Sequence, residues 1–226
     1  MSSKGTGTGA PTGRPVRKTA VPKKAAPAKR AVTSSLNGER ARDREVIEAA
    51  VQIFWEKGYA SASVQDVAES LGMLKGSLYY YLDSKESLLR KIFEDSHEEI
   101  VAITESTTES DGPSIVRLRQ FLTGYAMWTL THLERAGLYS REWRYAGAEL
   151  KAALREQQHY YDKHLRELIV AGQQEGDLDA SVDARRASLF IWAAFTGLPD
   201  WFRPGRVKAE DVASDYVGLA MRAAGG

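Results

Sequence analysis

From Val46 to Ala223 the apolar residues of this chain return every three or four positions, and nowhere do they alternate with polar residues as a half-buried strand requires. A chain with that single periodicity can bury its apolar stripes only by packing helix on helix. The expected fold class is all-α, with about nine helices. Val46, Ile47, Ala50, Val51 and Phe54 mark the first helix, and Gly58 stops it. Ser63 precedes Val64, Val67, Ala68 and Leu71, with Asp66 placed to complete a capping box, so a second short helix is expected there. Gly72 breaks it, Lys75 to Tyr81 supplies a third, and Asp83-Ser84 opens a fourth that carries Leu88, Leu89, Ile92, Phe93 and Ile100. Beyond the turn at Asp111-Gly112-Pro113, helices are expected over 115–133, 139–145, 148–174, 184–198 and 209–223.

The first 38 residues are of another kind. They hold four of the seven prolines and eight basic groups (Lys4, Arg14, Arg17, Lys18, Lys23, Lys24, Lys29, Arg30) with no acidic one. Against a total net charge of +1, that leaves about −7 on residues 39–226. With almost no large apolar side chain, the segment cannot offset its ordering entropy by burial and is expected to be disordered. Its charge points to a polyanion, because lysine and arginine neutralise phosphates and release counterions. Gly13-Arg14-Pro15 with Arg17-Lys18 resembles a minor-groove hook; loose phosphate attraction and a solubilising tail remain alternatives.

Other classes are narrowed by absence. The 226 residues include no cysteine, which excludes disulfides, thiolate metal sites and cysteine nucleophiles. His97, His132, His159 and His164 form no HExxH pair, and Asp162 and His164 are not spaced to share a helix face, so no metal, cofactor or catalytic site is expected and the protein is read as not an enzyme. The apolar stretch 187–198 falls short of the about 20 residues that cross a bilayer, and no signal-like apolar run follows the first residues. The expected location is cytoplasmic, with no membrane partner.

Ala68 and Gly72, four apart where a short helix meets a tight turn, are ringed by Val67, Leu71, Met73, Leu78 and Tyr81. A small residue lets two helices cross closely, a glycine takes positive φ in the turn, and the apolar set locks the second helix on the first. That is the pattern of a helix-turn-helix, although any αα-hairpin core shows part of it.

The wider context resembles the DNA-binding domain of the TetR family over about residues 40–93. The matching stretches run in order: Gly58-Tyr59, Ser63-Val64-Gln65-Asp66-Val67-Ala68, Lys75-Gly76-Ser77-Leu78-Tyr79-Tyr80-Tyr81 and Ser84-Lys85-Glu86-Ser87-Leu88-Leu89. One position departs: Leu74 stands where a serine or threonine is usual, and it cannot cap an amide. Beyond the basic tail at 1–38 that composition marks off, the resemblance implies a helix-turn-helix domain at 39–85 and a ligand-binding and dimerisation domain at 86–226. It implies double-stranded operator DNA as partner, read by a homodimer. Ser63 suits a phosphate at a helix start, and Lys85 beside the Ser84 cap acts on the same phosphate. Tyr79 and Tyr81 lie near backbone phosphates in the family pattern, with Tyr81 as a plain core residue the alternative. Gln65, Lys75, Gly76, Ser77 and Tyr80 are the candidates for base edges, and Arg14, Arg17 and Lys18 for tail contacts.

The family branch that controls steroid or fatty-acid breakdown looks similar here and also at Trp201-Phe202-Arg203-Pro204-Gly205. A small-molecule effector such as an acyl-CoA, weakening operator binding, is what that likeness and the aromatics imply. Phe121, Tyr125, Trp128, Trp143, Tyr145 and Trp192 either line a ligand cavity or form ordinary core. Arg141, Arg144, Arg185, Arg186 and Arg203 are candidates for its anionic head. Leu189, Phe190, Ala193, Ala194, Leu198, Val212, Tyr216, Leu219 and Ala220 offer apolar faces for a twofold four-helix contact. The competing class is an architectural DNA-binding protein that uses the basic tail without reading sequence.

Overall fold

The computed structural model describes residues 28–79 and 83–226, with side chains from residue 41 onward. Arg14, Arg17 and Lys18 of the tail, and Tyr80, Tyr81 and Leu82, lie outside the described residues. All regular structure among the described residues is helical apart from one isolated bridge between Pro204 and Val207. The all-α class holds, and the described residues form ten α-helices, two of them only four residues long, against the about nine expected.

Helix α1 spans Ala28–Lys57, so helix is present before Glu39, where the apolar periodicity sets in. Pro27 is the last proline before Pro113, so no proline interrupts the backbone hydrogen bonds of this stretch. Helices α2 (Val64–Ser70), α3 (Lys75–Leu78) and α4 (Lys85–Thr108) follow. The turn between α2 and α3 needs Gly72, whose φ of 63° is left-handed and which lets the Met73 amide reach back to the Ala68 carbonyl at 2.9 Å.

Next come α5 (Ser114–Thr131), α6 (Leu133–Glu142), a single 3-10 turn at Trp143–Tyr145, and α7 (Ala148–Glu175). The sequence places α6 several residues late. Only Leu133, Leu138 and Tyr139 are large and apolar in that helix, so packing rather than periodicity carries it. Gly137 is what permits that packing, since a Cβ there would stand 2.3 Å from the Trp55 ring. α7 ends on Gly176, at φ 85°, where the Asp177 amide returns to the Gly172 carbonyl at 3.0 Å in a Schellman closure. α8 (Ala184–Thr196), the four-residue α9 (Leu198–Trp201) and α10 (Ala209–Ala223) complete the chain.

Two large cores result. One joins α5, α7, α8 and α10 around Leu118, Phe121, Leu165, Ile191, Phe195 and Val217. The other joins α1 to α4 around Phe54, Val67, Leu78, Leu89 and Phe93, and also takes Leu138 of α6 and Leu150 and Leu154 of α7. A boundary at 85/86 therefore crosses a continuous core. Between the two cores a small cluster of Ile100, Trp128 and Tyr161 borders an unfilled space.

Candidate nucleic-acid interface and effector cavity

The start of α2 is closed by a reciprocal cap. Ser63 Oγ accepts from the Asp66 amide at 3.2 Å, and the Asp66 carboxylate accepts from the Ser63 amide at 2.7 Å and pairs with Lys57. These bonds, that from Lys57 foremost, hold the Asp66 carboxyl at about 2, below its ordinary 3.8. With the folded value depressed, the stabilisation is complete above about pH 4 and is lost as pH falls through the folded value. Ser63→Ala is expected to cost about 1 kcal/mol, seen as a lowered midpoint in thermal melting near neutral pH. An unchanged midpoint would show that the cap does not hold α2. Because Ser63 is already engaged, any phosphate at this helix start must use the next amides, those of Val64 and Gln65, which have no partner within the helix.

Helix α3 is anchored by Leu78, fully buried, while Lys75, Gly76, Ser77 and Tyr79 face solvent around it. Its Leu74 N-cap makes no side-chain hydrogen bond, and its own side chain is 80% exposed. Lys75 Nζ lies 5.9 Å from the Tyr79 ring centre. Gln65 on α2 is exposed and donates to Glu69 at 2.8 Å. Lys85 lies back against the domain, with Nζ 4.3 Å from the Tyr59 ring centre and 3.3 Å from the Ala60 carbonyl. Partial burial pushes its ammonium below the ordinary lysine value. Of the DNA-contact candidates, Ser63, Gln65, Lys75, Gly76, Ser77 and Tyr79 are thus exposed on α2 and α3, Lys85 sits half-buried beside them, and Tyr80 and Tyr81 are not described.

The space between the cores is a cavity of about 510 Å³ walled by α4, α5, α6, α7, α8 and α9. That falls within the range of about 300–1,000 Å³ that small-molecule sites occupy. Of the six aromatics considered for a ligand, Tyr125, Trp128 and Trp192 line it. Phe121 is instead wholly buried in the neighbouring core, edge-on to His164. Trp143 and Tyr145 are exposed on the 3-10 turn, Tyr145 lying 6.3 Å from Tyr59 beside the helix-turn-helix. The wall also contains Phe93, Ile100, Tyr139 and Tyr161, which periodicity alone does not separate from ordinary core. Burial drives the Tyr125 hydroxyl up to about 12. Desolvation lowers His97, which hydrogen-bonds Tyr161 within the wall.

The five arginines considered for a charged head lie elsewhere. Arg141 pairs with Asp200 at 2.9 Å and stacks over Trp55, and Arg203 donates to the Phe202 carbonyl and to the Asp200 carbonyl of α9. Arg144 donates to the Arg141 carbonyl, Arg186 lies near Asp183, and Arg185 does not border the cavity. Two other arginines line it: Arg155, exposed, and Arg135, 7% exposed. Arg135 pairs with Glu48 on α1 and lies 3.8 Å from Glu99 on α4. At the head of α4, Glu86 accepts from the Gly147 amide at 3.0 Å, tying that helix to the start of α7.

Among the described residues no three His, Cys, Asp or Glu side chains converge as metal ligands, and no helix is long and apolar enough to cross a membrane. On α8 and α10, Leu189, Phe190, Ala193 and Leu219 are exposed, whereas Leu198, Val212 and Ala220, expected on the same apolar faces, belong to the protomer's own core.

A helix-turn-helix with an exposed second helix, joined through one core to a helical body that holds a partly open, largely apolar cavity, is the architecture of a DNA-binding regulator. Two family profiles agree. "Bacterial regulatory proteins, tetR family" matches residues 46–92, and "Tetracyclin repressor-like, C-terminal domain" matches residues 111–224. The chain belongs to the TetR family of transcriptional regulators. Among its relatives, the HTH-type transcriptional repressor KstR2 of Rhodococcus jostii is 26% identical over 192 residues, covering 82% of this chain and 92% of that protein. A crystal structure of a tetR-family regulatory protein from Rhodococcus RHA1 superposes with a TM-score of 0.74 at 28% identity, over 81% of this chain and 96% of that one. The fold is also shared with AibR in complex with isovaleryl coenzyme A and operator DNA, at a TM-score of 0.71 and 23% identity, over 80% of this chain and 98% of that one.

Proposed function

We propose that the protein is a cytoplasmic homodimeric repressor whose operator is released when an apolar small molecule, such as an acyl-CoA thioester, enters the cavity. The cavity carries this reading, because its walls include α4 and α6, the helices that complete the core beneath the helix-turn-helix. A ligand that displaces either helix moves α3 with it, provided it binds the released conformation more tightly than the operator-bound one. That AibR has been captured with both an acyl-CoA and operator DNA supports the pairing of these two partners on this fold. Exposed Leu189, Phe190 and Leu219 supply the apolar surface on which a second protomer would place its own recognition helix at half-site spacing. The basic tail adds sequence-independent phosphate attraction. The test is to select an operator from random DNA, footprint it, and titrate short-, long-chain and steroid-derived acyl-CoAs into the complex. A palindromic footprint lost on titration supports the proposal. If acyl-CoAs leave the complex intact, the effector assignment fails while the operator reading stands.

Within that interface the two lysines act differently. Lys85→Ala is expected to weaken binding to all DNA alike, while Lys75→Ala changes the ranking of operator variants, because Lys75 is exposed on the recognition helix and Lys85 sits at the rim. Competition binding across single-base operator variants measures both effects. An unchanged ranking for Lys75→Ala would remove its role in reading bases.

A further inference from the structure

We infer that Arg135 is the polar anchor of the cavity and takes a neutral oxygen acceptor, a carbonyl of ketone, ester or thioester type, from the apolar ligand. The inference rests on reading the cavity as the effector site. Apart from the Trp192 indole N–H, a buried and unpartnered but uncharged donor in the same wall, most other charged or polar groups there are committed or exposed. His97 bonds Tyr161, Asp162 is held by Arg166 at 3.0 Å and Ser188 at 2.9 Å, and Arg155 is exposed.

Arg135 is buried and still has donors to offer. Its hydrogen bond among the described residues runs from one terminal nitrogen to Glu48, and its other terminal nitrogen stands 3.8 Å from Glu99, beyond hydrogen-bond reach. A guanidinium carries five N–H groups in a planar fork, so several remain for a ligand. The charge of the incoming group follows from the neighbours. Glu48 and Glu99 place two carboxylates against one cation, and Glu99 is fixed there by the Trp128 indole N–H at 2.6 Å. Glu48 and Glu99 are themselves 63% and 45% exposed, so solvent screens part of their repulsion of a third anion, but a neutral carbonyl accepts the spare N–H groups without meeting that repulsion at all.

The same guanidinium also fastens α6 to α1 through Glu48. A ligand that draws it into the cavity competes with that tie, so recognition of the carbonyl and release of the DNA-binding helices share one residue.

The experiment compares three probes of one shape, tetralin, 1-tetralone and tetralin-1-carboxylate, by quenching of tryptophan fluorescence in the full-length protein. Trp128 and Trp192 stand in the cavity wall to report occupancy. Arg135→Met is expected to lower tetralone affinity roughly tenfold or more, as loss of a hydrogen bond to a charged group does, and to leave tetralin unchanged. Glu48→Gln is expected to raise tetralone affinity, because it frees the guanidinium, and the carboxylate is expected to bind the wild type more weakly than the ketone. Should Arg135→Met fail to melt cooperatively, Glu48→Gln and Arg135→Lys carry the comparison, the latter with a smaller selective loss. Equal losses for tetralin and tetralone, no selective change in any variant, or tighter binding of the carboxylate would overturn the assignment while leaving the cavity reading intact. Failure of all three probes to bind the wild type would remove the cavity reading, and this inference with it.

Discussion

A fragment of residues 39–85 is expected not to fold cooperatively, giving no sigmoidal thermal transition by circular dichroism. The first three helices present Val46, Ile47, Phe54, Val67 and Leu78 to a core whose other half is Leu88, Leu89, Ile92 and Phe93 of α4 with Leu138, Leu150 and Leu154 of α6 and α7. Removing that half exposes side chains that each lose about 1.5–3 kcal/mol of burial. A fragment of that size has little surplus stability to offset such a loss. Extending it through α4 restores part of the core but not the contribution of α6 and α7. A cooperative melt from the 39–85 fragment would refute the shared core. Leu138 of α6 thus lies in the same core that seats α3 through Leu78.

The second large effect is expected at Phe121. Although its position among aromatics suggests a ligand contact, the ring is fully buried against His164 and Trp192 in the core of the larger helical body. Phe121→Ala should destabilise the fold by about 3–5 kcal/mol. For a chain of this length that corresponds to a fall on the order of 10 °C in Tm. Trp143→Ala and Tyr145→Ala, on the exposed 3-10 turn, should stay within about 0.5 kcal/mol of wild type. Calorimetry of the three variants decides between core and cavity roles. A Phe121→Ala protein that melts like wild type would return that ring to the list of ligand contacts.

Much of the molecule was legible along the chain because the relevant physics is local. Ser63, Asp66 and Ser84 cap helices through bonds to amides three residues away, and Gly58, Gly72 and Gly176 end helices or turn the chain by adopting positive φ. The exposed row Lys75, Gly76, Ser77 and Tyr79 follows from the placement of Leu78, since burying one residue of a short helix turns its neighbours outward. Helix α6 was not legible in the same way. Its polar composition hides its start, and only the close approach to Trp55 allowed by Gly137 shows why it lies where it does.

The sequence by itself determined the all-helical class, the caps and turns of the helix-turn-helix, the charge asymmetry of the tail and the family resemblance, all of which depend on neighbours within a few residues. Tertiary structure alone decided which aromatics face a void and which fill a core. Tyr125 and Phe121 lie four apart on the same helix, yet the first lines the cavity and the second is sealed, because what stands opposite each is contributed by α7 and α8, tens of residues away. It alone also paired Arg135 with Glu48 and Glu99, since a buried charge takes its partners from whatever elements the fold brings against it, and no spacing along the chain records that meeting.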